Sequence, residues 1–187
     1  DIQYPAPGNP TLAARVQQLL APVTVVASQE WGLDHGTWSV LAHMFPAADI
    51  PVVQLSIDAR QPPQFHYQLG QKLAALRDEG VLIVANGNLI HNLRAIRGED
   101  NATAFPWATR IAQKLKQKIE QGDHAALIDY VSLDPEMPLA APTPEHYLPL
   151  LYVLGAQRPN DRVTIPVDGL EMGSLSMLSV RIDSAAS

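Results

Sequence analysis

The 187-residue sequence contains no cysteine. That absence excludes disulfides, thiolate-bound zinc and a cysteine nucleophile, and leaves the redox compartment undetermined. Charged residues are sparse at 17%, and 13 Lys and Arg face 19 Asp and Glu, a formal net charge of −6. An acidic chain with no Lys/Arg cluster is poorly equipped to neutralise a phosphate backbone, which argues against a nucleic-acid partner. No apolar run approaches the ~20 residues of a membrane-spanning helix, so no membrane role is expected. Asp1 opens the sequence and Pro5 and Pro7 follow at once, a start unlike a signal peptide, so the expected location is cytoplasmic. The glycine-rich phosphate loops and the GxSxG nucleophile elbow are also missing, leaving nucleotide binding and serine hydrolysis without support.

What is present is a chain with 47% hydrophobic residues, long enough for one domain over residues 1–187 with a core that needs no staples. Asn9-Pro10 reads as an N-cap and first helical residue, and Leu12, Val16, Leu19 and Leu20 recur at helical spacing behind it. Helices are also predicted through Trp38, Leu41 and Met44, and behind Pro62-Pro63, where Phe65, Leu69, Leu73 and Leu76 form one stripe closed by Gly80. Further helices are expected over 106–121 and 123–132, divided by Gly122, and from a Thr143 cap to about Leu154. Short β-branched runs predict strands over 23–27, 51–57 and 81–85, with two late strands over 163–167 and 175–182. Helices alternating with apolar strands predict a three-layer α/β domain whose central sheet is mixed and mostly parallel.

Six histidines are the candidates for chemistry. His124 reads as solvated, His66 as structural, and His43 as a helix-end residue that meets terminal carbonyls. His91 lies on the loop leaving the most apolar strand, where ligands of open α/β sheets collect. Asn86, Gly87, Asn88 and Asn92 surround it with groups able to fix one imidazole tautomer. The plain alternative is a polar turn with an incidental histidine. His146, three residues after Thr143, is expected in the first turn of a buried helix, where the macrodipole disfavours positive charge and keeps the ring neutral, as a metal ligand requires. A backbone carbonyl would satisfy it equally. His35 follows the 23–27 strand and faces the same crevice, unless Asp34 merely caps the next helix and leaves it incidental.

Six blocks occur in order along the chain: Tyr4-Pro5-Ala6-Pro7-Gly8, Gly32-Leu33-Asp34-His35-Gly36-Thr37-Trp38, the run Asp49 to Ile57, Gly87-Asn88-Leu89-Ile90-His91-Asn92-Leu93-Arg94, the run Pro142 to Leu150, and Gly173-Ser174-Leu175-Ser176-Met177. Together they closely resemble the 4,5-DOPA extradiol dioxygenase family, within the class III extradiol ring-cleavage dioxygenases. The resemblance runs from Tyr4 to Ile182. It implies a divalent metal, Fe(II) for turnover or zinc, at the end of a mixed α/β sheet. It assigns His146 to the metal, His91 to acid/base catalysis or further ligation, and His35 to the substrate pocket. The family's other two metal histidines belong to His-Gly-Ser and Ala-His-Trp blocks upstream of the Tyr-Pro-Ala-Pro-Gly block, outside this sequence. The expected partners are a small-molecule catechol and O₂, with an oligomer left open. Two rivals remain: an inactive α/β remnant or interaction module without a complete metal site, and a metal-dependent hydrolase built on the same histidines.

Overall fold

The computed structural model describes residues 4–99 and 102–185; the opening Asp1 lies outside them. The chain forms two compact units, 1–57 and 58–187.

In the first unit, α1 (Pro10–Leu20) starts as its sequence dictates. Asn9 accepts a hydrogen bond from the Leu12 amide at 2.9 Å, and Pro10 occupies a position whose N–H would have no partner. Its apolar stripe buries Val16 and Leu20. A second helix, α2 (His35–Met44), is capped by Asp34, whose carboxylate accepts from the Thr37 amide at 2.8 Å. The two segments expected as strands, 23–27 and 51–57, are not strands here. Val52 N–H bonds the Pro7 carbonyl at 2.8 Å, but no ladder forms along either segment among the described residues.

The second unit carries most of the core. Helix α3 (Pro63–Leu73) runs on as a 3₁₀ turn to Glu79 and stops at Gly80, whose φ of 75° is left-handed and favours glycine. It crosses α7 (Leu148–Gly155) closely enough that a Cβ on Gly70 would lie 2.3 Å from the Tyr152 carbonyl oxygen, and one on Gly155 2.2 Å from that of Tyr67. Between them in sequence come α4 (Pro106–Glu120), α5 (His124–Ile128) and α6 (Met137–Ala140). Helix α4 buries Ala108, Ile111, Leu115 and Ile119, one face at i, i+3, i+4 spacing. Buried Asp134 ties that helix to the following loop through Arg110 and Lys114.

Four strands close the chain: β1 (Arg162–Val167), β2 (Leu170–Glu171), β3 (Leu175–Ser176) and β4 (Ser179–Asp183). They pair as two antiparallel two-stranded sheets, β1 with β4 and β2 with β3. The chain is therefore α/β, but the central, mostly parallel sheet expected from the apolar runs is not seen among the described residues. The physical reason is that a strand needs a partner. Val81–Ala85 is extended and apolar, yet no backbone bond reaches Leu82, Ile83, Val84 or Ala85, and Leu82 and Val84 stand 64% and 45% exposed. No helix among the described residues is long and apolar enough to cross a membrane.

Candidate functional site

The loop leaving the 81–85 segment and the turn leading into α7 meet backbone to backbone. Asn88 N–H donates to the His146 carbonyl at 2.7 Å. The approach is possible because residue 87 is glycine: a Cβ there would sit 2.2 Å from the same carbonyl oxygen and 3.0 Å from Pro149 Cγ. The loop is fixed on its other side as well. His91 N–H donates to Ala140 O at 2.7 Å, and His91 forms an isolated antiparallel bridge with Leu175. Asn88 Oδ1 accepts from the Ser176 amide at 3.1 Å, and Ser176 N–H also reaches Ile90 O at 3.0 Å.

These contacts bring two distant histidines together. The rings of His91 and His146 stack with centroids 3.6 Å apart and planes inclined by 24°. Burial and the neighbouring His146 ring hold the His91 pKa below the ordinary 6.5, with Glu145 partly opposing them, so His91 is neutral at neutral pH. Glu145 lies beside the pair, its Oε1 4.0 Å from His146 Nε2, and accepts a 2.6 Å bond from Thr143 Oγ1. Burial pushes that carboxyl up, but the Thr143 bond and the two imidazoles outweigh it and leave it lowered and ionised.

Several expectations change in detail. His146 is not in the first helical turn: α7 begins at Leu148, and 145–147 form a turn ahead of it. The Pro144 carbonyl accepts from Tyr147 and Leu148, and Thr143 binds Glu145 rather than capping the helix. The His146 side chain is 35% exposed rather than fully buried. His124 is not solvated but bridges Tyr67 OH at 2.8 Å and Gln157 Oε1 at 3.0 Å. His66 is structural, fully buried with Nδ1 3.0 Å from Tyr152 OH. His35 opens α2 in the first unit, exposed, behind its Asp34 cap.

Sequence reasoning placed Asn92 among the groups able to fix the His91 tautomer and gave Ser174 no role; both instead hold the loop from behind. Asn92 is 8% exposed; its Nδ2 donates to Leu139 O at 2.8 Å and its Oδ1 accepts from Arg94 N at 3.0 Å. Ser174 Oγ donates to Asn92 O at 3.0 Å. The signal was an Asn immediately after a candidate histidine, but its partners lie elsewhere in the chain.

An imidazole binds a metal in its ring plane, with a nitrogen–metal bond of about 2.1 Å. Rings stacked with centroids 3.6 Å apart and planes only 24° from parallel point their nitrogens side by side, so one ion cannot take both nitrogens as the rings stand. No group of three or more His, Asp or Glu side chains able to hold a metal occurs among the described residues. As it stands the arrangement offers an ion one ring nitrogen at a time and does not fit a complete metal centre. Two surface grooves of this unit, one lined by Thr109, Lys116 and Asp168 and one by Tyr130, Met137 and Pro142, include neither histidine.

Residues 1–172 match the family model described as the catalytic LigB subunit of aromatic ring-opening dioxygenase. A 4,5-DOPA dioxygenase extradiol of Escherichia coli K12 is 54% identical over 97% of this chain and 68% of its own length. One from Beta vulgaris is 37% identical over 97% of this chain and 69% of its own. A crystal structure of an uncharacterized Escherichia coli K12 protein superposes with a TM-score of 0.89 at 50% identity, covering 96% of this chain and 75% of that one.

Proposed function

Since the chain belongs to the LigB family of aromatic ring-opening dioxygenases, we propose that it opens the ring of a DOPA-like catechol with O₂, as one catalytic domain built around His91 and His146. The observation that supports this reading most is the 3.6 Å stack of those two rings, drawn from loops far apart in sequence. Any Fe(II) or zinc ion would be the group that engages O₂ or catechol, but no step is derived through it, because the described side chains do not make a complete ligand set.

What these residues do by themselves is proton chemistry. A neutral imidazole accepts a proton, and a catechol must lose one to become electron-rich enough for ring opening. His91 takes that proton and returns it as the ring-opened semialdehyde forms; positioned acid/base groups of this kind contribute ~10²–10⁴-fold. The charge on the resulting imidazolium is balanced by ionised Glu145. His146, with its carbonyl pinned by Asn88, is the partner that keeps the His91 ring in place and the proposed first metal nitrogen. His35 is assigned to substrate on resemblance, and His35→Ala tests that separately.

The test is oxygen uptake together with the colour of the semialdehyde, on the purified chain supplied with Fe(II) and a catechol. His91→Ala with normal metal content and unchanged turnover would remove its assigned role. The missing third ligand favours a second reading, a non-catalytic module. Under that reading the purified chain holds little metal after dialysis and consumes no oxygen, whichever histidine is replaced. Release of acid from a simple ester without oxygen uptake would instead mark a hydrolase.

A further inference from the structure

The loop that carries His91 also carries a cation without a counter-charge. In the second unit Arg77, Arg110, Lys116, Lys118 and Arg158 each hold an aspartate. Arg94 does not. It is exposed, its backbone amide is held by Asn92 Oδ1, and its guanidinium has no ion pair or hydrogen bond among the described residues. In a chain of net charge −6, this arginine without a counter-charge lies three residues after His91 on the same loop.

Its mounting is rigid. Residues 93–95 form a single 3₁₀ turn, closed by a 3.1 Å bond from Ala95 N to Asn92 O and anchored through buried Asn92 to Leu139 and Ser174. On either side, Leu93 and Ile96 are 57% and 42% exposed, apolar surface next to the charge. A guanidinium fork matches a carboxylate through two parallel bonds.

We propose that Arg94 is a specificity-determining residue that receives the side-chain carboxylate of a catechol acid while its ring is held at His91. The inference rests on the extradiol reading of that site and adds to it the group that selects anionic catechols over neutral ones.

The experiment is equilibrium binding to the purified chain, read by tryptophan fluorescence, for a catechol with a propanoate side chain and for its primary amide. The wild-type chain should prefer the acid, and Arg94→Gln should lose on the order of tenfold to a hundredfold in affinity for it. Affinity for the amide should not change. Arg94→Lys should recover part of the loss, since a point charge replaces a fork, and added salt should narrow the acid's advantage. Equal wild-type binding of acid and amide, or an acid preference surviving in Arg94→Gln, overturns the role of Arg94 and leaves the catechol reading standing. Failure of the wild-type chain to bind either ligand overturns both.

Discussion

Replacing Gly87 by alanine tests whether the seam between the His91 loop and the α7 turn is as tight as its geometry requires. The new Cβ would lie 2.2 Å from the His146 carbonyl oxygen and 3.1 Å from its carbon, both backbone atoms that cannot swing aside. Relief needs a withdrawal of about 1 Å, which breaks or stretches the 2.7 Å bond from Asn88 N–H to that oxygen. Overpacking of this kind costs ~1–3 kcal/mol, and the weakened bond adds about 1 kcal/mol. The sum, roughly 2–4 kcal/mol, corresponds to a fall in Tm of roughly 5–15 °C for a chain of this size. Gly98→Ala is the control, because a Cβ there meets nothing within 4 Å. Thermal unfolding measures the difference, and the proton shifts of the two stacked imidazoles report whether the rings have parted. A Gly87→Ala protein as stable as Gly98→Ala, with unmoved imidazole resonances, would refute the argument for a backbone-locked pair.

Other expectations follow from single contacts. Tyr147 is fully buried, donates to Leu127 O at 2.8 Å and stacks on Tyr130, so Tyr147→Phe leaves a buried carbonyl unpaired at a cost of ~1–3 kcal/mol, measurable by urea unfolding. Asp134→Ala leaves Arg110 with Glu136 alone and Lys114 with only the Leu133 carbonyl, and denaturation should show a loss of about 2–3 kcal/mol, with Arg110→Ala milder because that side chain is 43% exposed. Burial lowers the His66 pKa below its ordinary 6.5. Above that pH neither folded nor unfolded chain holds the proton. Below it the unfolded chain binds a proton that the folded one resists, so stability falls with acid until the folded imidazole also titrates. His66→Gln should flatten that part of the stability–pH curve, and an unaltered slope would count against the assignment. Val84→Lys places a charge on an exposed, unpaired apolar strand segment; light scattering should show less self-association than for the parent chain.

The parts of the fold that local chemistry decides were legible in the sequence. Asn9, Asp34 and Gly80 sit where a helix must begin or end, and each does the work its side chain, or lack of one, allows. Helix α4 is the clearest case, because its apolar spacing alone selects the face that is buried. Strands are different. The runs 23–27, 51–57 and 81–85 have the composition of buried strands, yet a strand is defined by hydrogen bonds to another segment, and composition does not say whether that segment is at hand. Of the late strands, 163–167 forms as expected and pairs through Val163 with Ile182, while the expected 175–182 strand divides into β3, which pairs with β2, and β4.

The histidine pair sits between these two cases. Position after an apolar run singled out His91, and an expected place in the first turn of a buried helix singled out His146; only the family resemblance put the two at one site. What joins them is non-local and mostly backbone: a missing side chain at 87, an amide at 88, carbonyls at 140 and 146, and an edge at 175. Asn88 and His146 are the polar ones, and at this seam it is their backbone groups that meet. The same logic explains why the His146 environment was misjudged, since a Pro-Glu-His-Tyr run reads as the start of a helix, whereas the two bonds converging on Pro144 O make it a separate turn. A turn, unlike a helix, leaves the ring 35% open to solvent and free of the helix macrodipole. That difference matters for chemistry. A ring 35% open beside Glu145 is within reach of a ligand, whereas a histidine sealed in the core, like His66, is not.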